Sequence, residues 1–129
     1  MNPAPITTLY ASLLALLTIF LAYRVSAVRR GKKIGLGDGD NKAVNCRIRA
    51  HGNLTEYMPL ALILLLLFEL RGPDAWQVHA FGAVFTLSRM AHAFGLSKSG
   101  GTTPGRLAGT LGTWLVIIVL AIMGVVASF

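Results

Sequence analysis

The stretch Arg49-Ala50-His51-Gly52-Asn53-Leu54-Thr55-Glu56-Tyr57-Met58-Pro59, with the apolar run that follows it to Phe68, decides the fold. The uninterrupted apolar run, Met58 to Phe68, has 11 residues. A bilayer core needs about 20 helical residues. A helix long enough to cross must therefore extend back through Glu56, Asn53 and Arg49. Backbone at that depth has to satisfy its own hydrogen bonds, so it is helical. The polar side chains are carried into or near the membrane with it.

At about 100° per residue, Arg49, Asn53 and Glu56 fall within roughly 60° of one another. Tyr57 borders this stripe, whereas Arg47 and His51 point elsewhere. A charged group at the bilayer centre costs roughly 2.5–3.5 kcal/mol on insertion scales. Such a stripe must face other helices, a partner subunit or a wet cavity. One reading is a structural network that fixes helix register. The other is a site for a polar ligand. Asn offers donors and acceptors, ionised Glu accepts from an ammonium or amide, and Arg binds carboxylate. That set suits a zwitterionic, peptide-like molecule. Pro59 removes the hydrogen bond to the carbonyl of Thr55 and predicts a kink just past Glu56.

The rest of the chain agrees with a membrane protein. Of its 129 residues, 54% are hydrophobic and only 13% are charged, and its mean hydropathy is +0.64. Soluble domains carry about 25% charged residues. This balance argues against a soluble monomer, a disordered chain and a secreted disulfide scaffold. A first span is expected over about residues 6–27, the second over 48–70, a third over 75–96 and a fourth over 107–129. Together they make one all-α, antiparallel four-helix domain covering residues 1–129. A cleaved signal peptide fits the first span poorly, because the basic residues follow the apolar run.

The net charge is +7. Eight of the twelve Lys and Arg lie between Arg24 and Arg49. This segment has no aromatic residues beyond Arg24 to stack bases, so nucleic-acid binding is set aside. A basic loop beside an apolar helix marks the cytoplasmic side of a membrane protein. Both termini are then expected on the other side, together with the tight turn Arg71-Gly72-Pro73-Asp74. Cys46 has no partner for a disulfide and reads as a small buried side chain. Asp38-Gly39-Asp40-Asn41 has two acids of a calcium loop and none of its later ligands, so it reads as a turn and no metal is expected.

On the third helix Arg89 and His92 are three apart and share a face, along with Phe85 and Leu96. Arg89 is expected to pair with Glu56. Arg106 opens the fourth helix after Thr102-Thr103-Pro104-Gly105, at the cytoplasmic edge, where it would anchor the helix end.

At these residues the chain resembles the membrane-associated proteins in eicosanoid and glutathione metabolism. The second-helix stretch is similar to the family signature: an Arg, an Asn four on, a Glu three further and a nearby Pro. Ser88-Arg89-Met90-Ala91-His92 resembles the third-helix motif of the prostaglandin E synthase branch. Pro104-Gly105-Arg106 resembles the start of its fourth helix. The chain departs from the family at Leu96, where synthases often have Tyr, at Leu107, where that branch has Ser, and in its Gly-rich linker before Arg106.

The resemblance implies a homotrimer in a membrane, expected to be a bacterial inner membrane, with a glutathione site between neighbouring subunits. Arg49, Asn53, Glu56 and His92 would hold glutathione, with Tyr57 beside them. His51 would reach it from the adjacent subunit, and Arg29 or Arg30 at the end of the first helix would add a cation, with Arg24 as another choice. Arg106 would stabilise the thiolate, since a nearby fixed cation lowers a thiol pKa from about 8.5. The implied activity is that of a glutathione transferase or peroxidase acting on apolar electrophiles. A non-catalytic trimeric lipid binder or scaffold of the same fold is the alternative. A small four-span drug transporter fits less well, because its coupling carboxylate lies in the first helix, where this chain has none.

Overall fold

A computed structural model describes residues 2–129. Four helices fill them: α1 (Pro5–Gly31), α2 (Lys42–Glu69), α3 (Ala75–Lys98) and α4 (Pro104–Val126). No strand occurs among the described residues. α1, α2 and α4 are each long and apolar enough to cross a membrane. α3 is of similar length, 24 residues, or about 36 Å at 1.5 Å per residue. It carries Gln77, His79, Arg89, His92 and Lys98, which interrupt its apolar runs.

Packing explains where that polarity goes. α2 and α3 each touch every other helix, while α1 and α4 do not touch each other. The two helices that bear Arg49, Asn53, Arg89 and His92 are therefore the two in the middle. Leu14, Leu21, Leu54, Leu65, Phe85 and Leu120 are among the buried core. Leu16 and Ile19 on α1, Ile63 on α2, and Leu115 and Ile122 on α4 remain exposed. An apolar exterior of this kind is what lipid requires.

Local chemistry sets the helix ends. α1 and α4 begin with proline in the first turn, where the missing N–H would be unpaired in any case. Arg29 and Arg30 lie in the last turn of α1, favourably placed for the negative end of the helix. α2 begins at Lys42, six residues before the expected 48. The reason is Asn41, whose side-chain oxygen accepts from the N–H groups of Ala43 and Val44, both at 3.2 Å. The helix then runs through Pro59 as one element. Gly72 takes φ +76° just after α2, and Pro73 prevents continuation. Asp38 accepts from the Asn45 side chain at 2.6 Å, which holds its carboxyl below the ordinary value.

α3 and α4 approach closely because glycines line the seam. A Cβ on Gly109 would lie 2.5 Å from the Ser88 carbonyl oxygen and 2.7 Å from the His92 backbone nitrogen. On Gly95 it would lie 2.9 Å from the Arg106 nitrogen. Small residues of this kind let membrane helices pack backbone to backbone. The seam sets the start of α4, and hence Arg106, against the end of α3.

Candidate functional site

The near end of the bundle, where α2 and α4 begin and α3 ends, contains a cavity of about 210 Å³. Arg49 and Asn53 of α2, His92 of α3 and Arg106 of α4 all line it. Four of the residues singled out from the sequence thus come together from three helices.

Each is held differently. Arg49 is 54% exposed and pairs with Glu56 of its own helix, Nη1 to Oε1 at 3.4 Å. Glu56 is 53% exposed and does not line the cavity. The stripe therefore divides, with Arg49 and Asn53 facing the cavity and Glu56 facing outward. His92 is only 6% exposed and has no hydrogen-bond partner among the described residues. Arg106 Nη1 donates to the carbonyls of Gly100 at 3.2 Å and Gly101 at 2.8 Å. Its backbone N–H donates to Thr103 Oγ1 at 3.3 Å. The guanidinium is thus tethered along one edge, in the first turn of a helix whose N-terminus is itself positive.

Arg89 does not pair with Glu56, contrary to the expectation from charge complementarity. It is 2% exposed. Its Nη1 donates to Asn53 Oδ1 at 2.6 Å and its Nη2 to the Gly109 carbonyl at 3.0 Å. Its guanidinium carbon lies 5.4 Å from the centre of the Tyr57 ring. Arg89 is buried at the level of Asn53 and faces the α4 seam, whereas Glu56 is already bound to Arg49 on the exposed side. Tyr57 turns the same way as Arg89, its hydroxyl accepting from Trp114 Nε1 at 3.1 Å.

The remaining expected residues lie elsewhere within the chain. His51 is half-buried outside the cavity. Arg29 is engaged in the loop, donating from Nε to the Gly37 carbonyl at 3.0 Å, and Arg30 is exposed. Arg24 reaches the end of α3 instead, where Nη1 donates to Ser97 Oγ at 3.2 Å.

The cavity is completed by Asn45, Cys46, Leu96 and Gly100, which were not counted as site residues. Asn45, Arg49 and Asn53 are spaced four apart, and Cys46 is three before Arg49. That face was readable once the helix was known to start at Lys42. Leu96 is one turn beyond His92. Gly100 carried no signal, because the path of its linker is set by contacts with α2. Among the described residues no group of three His, Cys, Asp or Glu is placed to hold a metal.

The match to known proteins spans nearly the whole chain. The model of the MAPEG family matches residues 7–126, which includes all four helices in whole or large part. The chain belongs to the MAPEG family. It is similar to the inner membrane protein YecN of Escherichia coli K12 and of Escherichia coli O6:H1. Each is 32% identical over 117 residues, which cover 91% of this chain and 88% of the relative. This MAPEG protein is accordingly an integral membrane protein of a family that includes glutathione transferases and peroxidases.

Proposed function

We propose that this chain is a membrane glutathione transferase or peroxidase. The observation that carries the reading is the cavity shared by Arg49, Asn53, His92 and Arg106. In it glutathione is the co-substrate. Arg49, Asn53, Glu56 and His92 hold the tripeptide, and Tyr57 lies beside it. Arg106 stabilises the thiolate, which displaces the leaving group of an apolar electrophile from the bilayer, or cleaves a hydroperoxide O–O bond to release the alcohol, a second glutathione then giving the disulfide and water. No protein nucleophile takes part.

The single-chain cavity, at about 210 Å³, is below the roughly 300–1,000 Å³ of most ligand pockets. Glu56 lies about 20 Å along α2 from its start and is half-exposed. Lipid is a poor neighbour for that carboxylate. A homotrimer supplies the missing wall, with His51 and Arg29 or Arg30 contributed across the subunit boundary. The protein lies in a bacterial inner membrane, with the basic loop cytoplasmic and both termini periplasmic.

Isothermal titration of the detergent-purified protein with glutathione tests the reading, followed by the ultraviolet thiolate band. Saturable binding and a thiolate band are expected, and Asn53→Ala should lose both. Conjugation of chlorodinitrobenzene should follow. Lipid binding with neither glutathione heat nor a thiolate band would replace this reading with the non-catalytic lipid binder.

A further inference from the structure

Arg89 is a buried cation with no acidic partner. The only ion pair among the described residues is Arg49 with Glu56. Its contacts are an amide oxygen, a backbone carbonyl and an aromatic face, and its Nε has no partner. Burying a guanidinium on neutral acceptors alone is costly, so the geometry of those acceptors is tightly held.

One of them belongs to the cavity. Arginine has five N–H donors and no acceptor. A 2.6 Å contact to Asn53 therefore fixes which end of the amide faces it. The oxygen must turn to Arg89, and Nδ2, with its two N–H groups, is left for the cavity. Asn53 alone could present either end to a ligand. Arg89 removes that choice.

We propose that Arg89 is a positioning residue that makes the Asn53 wall of the cavity a hydrogen-bond donor, so that the site selects a ligand carrying a carboxylate there. The donor works in concert with Arg49 and Arg106, which also line the cavity, and with buried, unpartnered His92. The Gly109 carbonyl holds the other arm of the guanidinium. The α3–α4 glycine seam is thereby linked to the orientation of one amide. The identity of the ligand rests on the glutathione reading, while the orientation of the amide does not.

Asn53→Asp is the decisive variant. It keeps an oxygen for Arg89, and adds a charge opposite a buried cation, so the fold should survive. It removes the donor and places a carboxylate oxygen against the ligand's own. Glutathione affinity should fall about 10- to 150-fold, the range for losing a hydrogen bond to a charged group. Wild type should bind glutathione more tightly than its dimethyl ester, and the variant should lose that preference. Arg89→Lys, which can also only donate, should keep part of the preference. Arg89→Gln can accept from Asn53 and let the amide turn, so it should lose the preference while kcat changes less than KM. Affinity within twofold of wild type in Asn53→Asp would overturn the proposal, as would equal binding of ester and acid by the wild type.

A second measurement needs no glutathione. The side-chain N–H signals of Asn53, identified by their absence in Asn53→Asp, should shift when sodium bromide is titrated into the wild-type protein in micelles. Signals that stay fixed would show the N–H groups turned away from the cavity and sink the proposal. Should glutathione fail to bind while these signals move, the proposed function falls and the orientation stands.

Discussion

The two ends of the bundle both present a helix N-terminus, and they treat negative charge in opposite ways. At the far end, α1 begins at Pro5, and Glu69 from the end of α2 accepts from the N–H groups of Ile6 at 2.9 Å and Thr7 at 2.7 Å. The protein supplies the anion itself. At the near end, α4 begins at Pro104 and only the hydroxyl of Thr103 meets its first N–H groups. Arg49 and Arg106 stand at the cavity there, Glu56 faces outward on Arg49, and Asp38 is taken up by the Asn45 side chain. A positive terminus with a built-in carboxylate is a strut. In the proposed site, one without serves as a receptor for an anion from outside.

The comparison breaks most sharply at Arg106. If the near end is a receptor for a thiolate, Arg106→Ala should lower turnover about 100- to 1,000-fold, the range for removing one donor from a developing anion. Glutathione affinity should change only a few-fold, because Arg49 and Asn53 remain. Steady-state conjugation kinetics with titration calorimetry on the same sample separate the two effects. Turnover at wild-type levels would remove Arg106 from the mechanism.

Arg49→Ala should come next. Loss of a charge-assisted contact is worth about 1.5–3 kcal/mol, so the dissociation constant for glutathione should rise roughly 10- to 150-fold. The thermal midpoint should barely move, since the partner of Arg49 among the described residues is a half-exposed carboxylate. A large loss of stability would make Arg49 a strut after all. Glu69→Gln, at the other end, should behave in reverse. It keeps one acceptor for α1 but turns an NH2 against the other N–H and loses the charge, costing about 1.5–3 kcal/mol of stability and leaving glutathione affinity as it was. Thermal unfolding in detergent and calorimetry read both quantities.

The same two ends show what a sequence can disclose. Four helices were legible because apolar runs and length leave little choice in a bilayer. The near-end residues were legible because a polar stripe cannot face lipid. What stayed hidden depends on three-dimensional neighbours. Charge complementarity pointed Arg89 to Glu56, yet depth and facing gave it Asn53 and the Gly109 carbonyl, since a backbone carbonyl across a glycine seam leaves no trace in side-chain patterns. Glu69 carries no sign of a partner in the sequence, and only the antiparallel return of α1 makes it a cap. Arg106 could be placed at a helix start, but its tether to Gly100 and Gly101 depends on the path of a Gly-rich linker.

Glu56 gives the smallest and most discriminating effect. It sits at the border between the two behaviours, an acid bound internally, though beside the open end. If it only neutralises Arg49, replacing it by Gln frees that cation and should tighten glutathione. If it faces the ligand's ammonium group, the same change should weaken it. The proposed site requires the second outcome: a loss of about 1.5- to 5-fold, equivalent to roughly 0.2–1 kcal/mol for an exposed pair. N-acetylated glutathione, which lacks the ammonium, should bind Glu56→Gln and wild type alike. Such pairs are screened by salt, so the difference should shrink as ionic strength rises. Calorimetry with both ligands at two salt concentrations reads the sign, and tighter binding of glutathione to the variant would assign Glu56 to the strut.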